Sequence, residues 1–275
     1  VGDEAGTAIT TGRFNTLIGK EAGDALNDAD SNVAIGKGAL SSDTQGSQST
    51  AIGTLALTAQ NFTSATDAYN VAVGAEAGAA VTTGVQNTLI GGLAGDANTT
   101  GSENTAVGYG ALSTNTTAAG NTAMGWYSMF ATTTGYANVA VGLSALGAQT
   151  TGYENVALGH QALDALTTGN LNTAVGRSAG GLITTGIRNT LVGSLAGDAL
   201  TTSLDNVAIG SHALSTETTG KYSTAVGQGA LFTQNAGSDA LVYNTAVGYN
   251  TGNLITTGVQ NTLIGGLAGD SITSA

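Results

Sequence analysis

The chain has no cysteine and no proline. Without cysteine there is no disulfide and no thiolate metal centre, which is compatible with an exterior location. Charge is scarce, at 9% of residues, and unbalanced: 18 acidic side chains against 6 basic ones give −12 at neutral pH. That balance argues against a nucleic-acid partner and against binding to anionic membranes. No apolar run approaches the roughly 20 residues that span a bilayer, so no membrane insertion is expected. Histidine occurs twice, as His160 and His212. Neither has a nucleophile arrangement or metal-ligand spacing around it, and both read as surface residues. No phosphate loop, serine elbow or kinase motif is found. Neither a cofactor nor an enzymatic activity is expected.

What is abundant is glycine, 43 residues of it, and repetition. "NTLIGGLAGD" occurs at 87–96 and again at 261–270. Aligned on Asn-[Thr/Val]-[Ala/Leu]-aliphatic-Gly, the motif starts at fifteen places; twelve of the fourteen intervals are 17 residues. The other two are 21, from Ser49 to Asn70 and from Ser223 to Asn244. Nine units of 17 and one of 21 make a 174-residue super-repeat, which accounts for the doubled decamer. The chain therefore reads as a single array over residues 1–275, with expanded coils at 49–69 and 223–243. It begins and stops in mid-unit, as a stretch of a longer array would.

Number the unit from its Asn. Column 2 is always Thr or Val and column 5 always Gly. Column 4 is β-branched except at Met124 and Leu158. Short β-branched segments bounded by glycine predict strands, and 17 residues are too few for paired helices. The expected fold is all-β: a parallel β-solenoid, or β-roll, of about sixteen coils. Each coil would hold the strand "NTAVG", a second short strand near columns 7–9 and a turn at "TTG", whose Gly suits positive φ. Coils would lie about 4.8 Å apart. The Asn column predicts an amide ladder or left-handed turn residues. Asp24, Asp96, Asp198 and Asp270 recur in "AGD"; a turn role is expected over a calcium role, since neighbouring coils do not repeat the Asp.

Column 3 is Ala in eleven units and Leu at Leu17, Leu89, Leu191 and Leu263. Column 8 is almost always Ala. A strand sends column 3 to the face opposite columns 2 and 4. With column 2 directed to the core, column 3 would form an exposed apolar stripe, and such stripes mark interfaces. A parallel homo-oligomer closed around one axis is the simplest partner arrangement.

Aromatics are few enough to be informative. Tyr109 and Trp126 share column 6 in adjacent coils, Tyr127 follows, and Tyr136 and Tyr153 share column 16. Exposed aromatics at coil spacing make platforms for sugar rings or partner side chains. The expanded coils add Phe62, Tyr69 and Tyr243 as candidate binding residues, because loops on a rigid scaffold often carry recognition.

The stretches "NTAVGYGALSTNTTAAG" and "NVALGHQALDALTTGN" resemble two known repeat sets. One is the "SVAIG"-type head repeat of YadA-like trimeric autotransporter adhesins. The other is the "NTAIG" array of tail-fibre-like proteins, many of which end in an intramolecular chaperone domain. The resemblance covers nearly the whole chain and is specific for architecture rather than function. It implies a left-handed trimeric β-roll in an extracellular, cell-surface or virion fibre, with a surface glycan or protein receptor as a further partner. The adhesin head repeat is shorter than 17 residues, and no stalk, anchor or chaperone segment is visible here. Two alternatives remain: an ice-binding solenoid, motivated by repeated "TT" in columns 13 and 14, and a self-polymerising filament subunit, in which Val1 of one copy continues the strand broken at Ala275.

Overall fold

The structure, a computed structural model, describes residues 2–238 and 240–274. Val1 and Ala275, on which the filament alternative rests, lie outside the described residues, as does Asp239 in the second expanded coil. The chain divides into two compact units, Val1–Ala137 and Asn138–Ala275. Both are parallel β-solenoids with one three-residue strand per coil. The first unit runs from Thr16–Ile18 through Val33–Ile35, Thr50–Ile52, Val71–Val73, Thr88–Ile90 and Thr105–Val107 to Thr122–Met124. The second runs from Val139–Val141 through Val156–Leu158, Thr173–Val175, Thr190–Val192, Val207–Ile209, Thr224–Val226 and Thr245–Val247 to Thr262–Ile264. Register is invariant: column 3 pairs with column 3, as in Leu89 with Ala106 and Leu191 with Ala208. A two-residue pair, Gly46–Ser47 with Thr66–Asp67, joins the coil of Asn32 to the first expanded coil.

The second strand expected at columns 7–9 is absent from the described residues; those columns are turns. Columns 7, 9 and 17 are left-handed in coil after coil, as at Leu93 (φ 57°), Gly95 (57°) and Glu103 (61°). Most of these positions are not glycine, and each non-glycine one costs on the order of 1–3 kcal/mol. Hydrogen bonds to neighbouring coils offset that cost. Leu93 N–H donates back to Ala75 O at 3.0 Å and Glu103 N–H to Val85 O at 3.0 Å, while Gly95 N–H donates forward to Ala111 O at 2.9 Å. The Asn column itself is not left-handed; the residue before it is.

Glycine is invariant in column 5 and prevalent in column 15, for different reasons. Gly91 in column 5 has φ 131°, and a Cβ there would lie 2.5 Å from Gly108 O of the next coil. The "TTG" glycine does not carry positive φ, contrary to expectation. Glycine is favoured there by close approach of the next coil, since a Cβ on Gly186 would lie 2.5 Å from Ser203 O, although Ala118 and Ser203 fill the same column in other coils.

The strand faces the other way from the sequence expectation. Column 3 points inward: Leu89, Ala106, Ala157 and Leu191 are fully buried, as are Ala94 and Ala111 of column 8. Columns 2 and 4 point outward, half-buried to exposed, as in Thr88–Ile90 and Val207–Ile209. The reason is width. The interior is so thin that Ala on both walls nearly fills it, and β-branched side chains at every coil would overpack it.

Larger side chains enter by exchange. Where column 9 is Leu or Met, as at Leu112 and Met129, column 3 is Ala; where column 3 is Leu, column 9 is Gly. A Cβ on Gly95 would lie 2.8 Å from Leu89 Cδ2, and one on Gly197 would lie 2.8 Å from Leu191 Cδ2. Coils with Ala in column 3 and Gly in column 9 are followed by a Leu coil, whose Leu reaches back: Leu191 Cδ1 lies 2.7 Å from where a Cβ on Gly180 would be. The order of unit types is thus set by core volume.

Candidate functional site

The Asn column forms a buried ladder. Asn155 Nδ2 donates to Gly169 O at 2.9 Å and to Asn138 Oδ1 at 3.2 Å, and its own Oδ1 accepts Asn172 N–H at 3.0 Å. The rank is structural. So is the column 13 Thr rank: Thr82 Oγ1 donates to Thr99 O at 3.0 Å and Thr167 Oγ1 to Thr184 O at 3.0 Å. Those hydroxyl protons are spent on the next coil.

Columns 6, 7 and 10 lie at or beside the left-handed positions and carry the exposed aromatic side chains. In the first unit Tyr109, Trp126 and Tyr127 come together there. Tyr127 centres the group: its ring lies 5.7 Å from Tyr109, 4.1 Å from Trp126 and 4.8 Å from Phe130 between centroids. Glycine makes room for it. A Cβ on Gly110 would run into the Tyr127 ring, and one on Gly92 would touch the Tyr109 ring at 3.4 Å. Tyr109, Trp126 and Phe130 remain 46%, 50% and 40% exposed. The result is a four-ring apolar platform on a rigid coil stack.

Sequence reasoning missed Phe130. It stands three residues after Tyr127, across buried Met129, and that bend brings the two rings edge to face. Tyr136 and Tyr153 are in column 16 rather than on this face; Tyr136 is exposed and Tyr153 half-buried. Phe62 is a correction: it is buried and packs on Gly46, where a Cβ would meet its ring at 2.7 Å. It anchors the expanded coil and is not open to a ligand. Tyr69 is exposed, its hydroxyl accepting Gln48 Nε2 at 3.2 Å. Tyr243 stacks on Tyr222, also missed, at 5.1 Å and 7°. The signal for Tyr222 was its shared column 17. Arg188 and Asp205 precede them in that column as a bidentate pair at 2.7 Å, which holds the Asp205 carboxyl below its usual range.

No protein-family model matches the chain, and no curated protein or solved structure matches it.

Two clefts lie on the column 6–11 face of the second unit. One, of about 330 Å³, is lined by Gln161, Asp164, Ser178, Gly181, Leu182 and Asp198. Burial pushes the Asp164 carboxyl up, against the opposing pull of His160 and a Gln161 hydrogen bond. An acid whose folded pKa is raised is destabilising when charged, and that penalty is relieved as pH falls through the raised pKa. Asp164→Asn is therefore expected to raise the melting temperature slightly at pH 7. The gain should vanish on acidification toward the ordinary Asp range. Scanning calorimetry at several pH values checks this; a variant less stable at pH 7 contradicts it. The other cleft, of about 340 Å³, is lined by His212, Gln228, Gly229, Phe232, Asn250 and Asn253.

Proposed function

We propose that the chain is a segment of a structural and adhesive fibre, extracellular and on a cell surface or virion, that associates in parallel with copies of itself. The observation that carries the reading is the outward strand face. At each coil it presents a Thr or Val in column 2 and an aliphatic side chain in column 4, with no charged residue in either column. Ile90, Val141, Ile209 and Val247 are among those more than a third exposed. Uncharged apolar surface that recurs at every coil favours burial against another chain. Copies in the same register would set identical columns against one another, and cyclic closure buries every stripe. The resemblance to adhesin head repeats favours three chains. The function is mechanical: within each unit the strands pair coil to coil and the buried Asn amides bond one another between coils, and the aromatic platform is held on that support.

Light scattering tests the reading. A mass near three times 26.7 kDa is expected, and 26.7 kDa would overturn it. Val175→Lys with Ile209→Lys should give monomers whose circular dichroism is unchanged, because both side chains lie outside the coil interior.

A second reading has one observation in its favour. Column 2 Thr points outward in consecutive coils at Thr88, Thr105 and Thr122, so the strand face, rather than the "TT" turn, would be the surface that orders water. Absence of thermal hysteresis and of ice shaping would dispose of it.

A further inference from the structure

The 174-residue duplication supplies an internal comparison for the cleft at Gly229. Its six lining residues correspond to Gly38, Thr54, Leu55, Thr58, Glu76 and Ala79 in the first copy. All six differ. Over columns 1–5 of the same three coils the copies differ only by Val226 for Ile52 and Thr245 for Val71. Change spares the strand and falls on the columns after it, every cleft position included.

The direction of the change is chemical. In the first copy Leu55 covers the place: a Cβ on Gly38 would lie 2.9 Å from Leu55 Cδ2. In the second copy Gly229 removes that side chain. The polar atoms nearest its vacant Cβ position are Asn250 Oδ1 and Asn253 Nδ2, an acceptor beside a donor. Phe232 stands where Thr58 was, and His212 where Gly38 was, their rings 6.1 Å apart. Ser211 Oγ pairs with His212 Nδ1 at 2.9 Å, so Nε2 is the ring nitrogen left for a ligand. Gln228 adds a third carboxamide. No lining residue is an acid, a lysine or an arginine.

We propose that this cleft binds one or two pyranose units of a neutral glycan. Its volume, about 340 Å³, lies at the small end of ligand pockets, which run from about 300 to 1,000 Å³. A vicinal diol would donate one hydroxyl to Asn250 Oδ1 and accept with the other from Asn253 Nδ2. The apolar face of the ring would lie on Phe232. The absence of charge selects against sialic and uronic acids, which would lose hydration without gaining a cation. The proposal names what the adhesive half of the fibre reading would bind, and rests on that reading only for its biological sense. Scattering mass reports on self-association and not on this cleft, so the two can fail separately.

Saturation-transfer difference NMR on the whole chain tests it. The probes are glucose, galactose, mannose and N-acetylglucosamine, with N-acetylneuraminic and glucuronic acids as charged comparators. At least one neutral sugar should receive saturation, and the two acids none. Gly229→Leu should abolish the transfer without lowering the melting temperature, since the same left-handed column holds Leu55, Leu93 and Leu195. Asn253→Ala, a surface change that copies Ala79, should weaken binding about tenfold, the equivalent of roughly 1.4 kcal/mol. Three results would overturn the proposal: no neutral sugar receives saturation, only the acids do, or transfer persists unchanged in both variants. The last would place the sugar elsewhere, for instance on the Tyr127 platform.

Discussion

Leu191→Asp is expected to unfold the second unit. Leu191 is fully buried, and its two methyl groups lie against the glycines of two different coils, Gly180 and Gly197. Removing the apolar atoms alone costs about 2–5 kcal/mol. Placing a carboxylate there without a partner adds a desolvation cost of several more. Against a total stability of about 5–15 kcal/mol, the sum is decisive. Val192→Asp, one residue on, puts the same charge on the outward face and should leave the fold intact while breaking self-association. Thermal melts by circular dichroism with light scattering separate the two. If Leu191→Asp folded normally and changed only the oligomeric mass, column 3 would be an interface, and the inward orientation described above would be wrong.

That contrast marks where the sequence could be read and where it could not. The period, the strand and the need for Gly in column 5 follow from the spacing and from the β-branched residues before it. The direction of the strand does not, because both faces are apolar. Ordinary reasoning puts Val and Ile inside and Ala outside. A coil this narrow inverts the rule, and the inversion is visible only once column 8 Ala is seen opposite column 3 Ala. The pairing of Leu in column 3 with Gly in column 9 was present in the sequence as a volume exchange. It has meaning only if both columns share one interior. Left-handed residues were equally hidden. Columns 7 and 17 hold Leu, Glu, Gln and Tyr, residues with no preference for positive φ; neighbouring-coil hydrogen bonds impose it. The aromatic platform was half legible: coil spacing gathered Tyr109, Trp126 and Tyr127, but Phe130 is reached through a bend that no periodicity announces. The Gly229 cleft was not legible, since an absent side chain gives no signal until a structure shows what surrounds it.

The Asn ladder has two exceptions, Ser49 and Ser223, and they explain how the ladder can be altered. In both coils column 12 is Gln. Gln60 Nε2 donates to Ser49 Oγ at 3.0 Å, while its Oε1 accepts Asn70 Nδ2 at 2.9 Å. Gln234 does the same for Ser223 and Asn244, at 3.0 and 2.9 Å. The amide has moved from column 1 to column 12, and a buried carboxylate below it, Asp43 or Glu217, accepts the other Gln proton. The coil of Asn138 already holds such a glutamine. Gln149 is fully buried, donates to Gly152 O at 2.7 Å, and has an Oε1 with no hydrogen-bond partner. Asn138→Ser should therefore be mild, with Gln149 turning its carbonyl to Asn155, at a cost under about 1 kcal/mol. Asn172 has no such neighbour, because its column 12 residue is Ile183. Asn172→Ser strands Gly186 O and the Asn189 backbone N–H, which now bond it at 2.8 and 3.0 Å. Leaving two buried groups unmade costs about 2–4 kcal/mol. At roughly 2–4 °C per kcal/mol for a unit of this size, the two variants should melt well apart. Equal melting temperatures would mean that Gln149 does not substitute, and that the serine coils depend on their buried carboxylates instead.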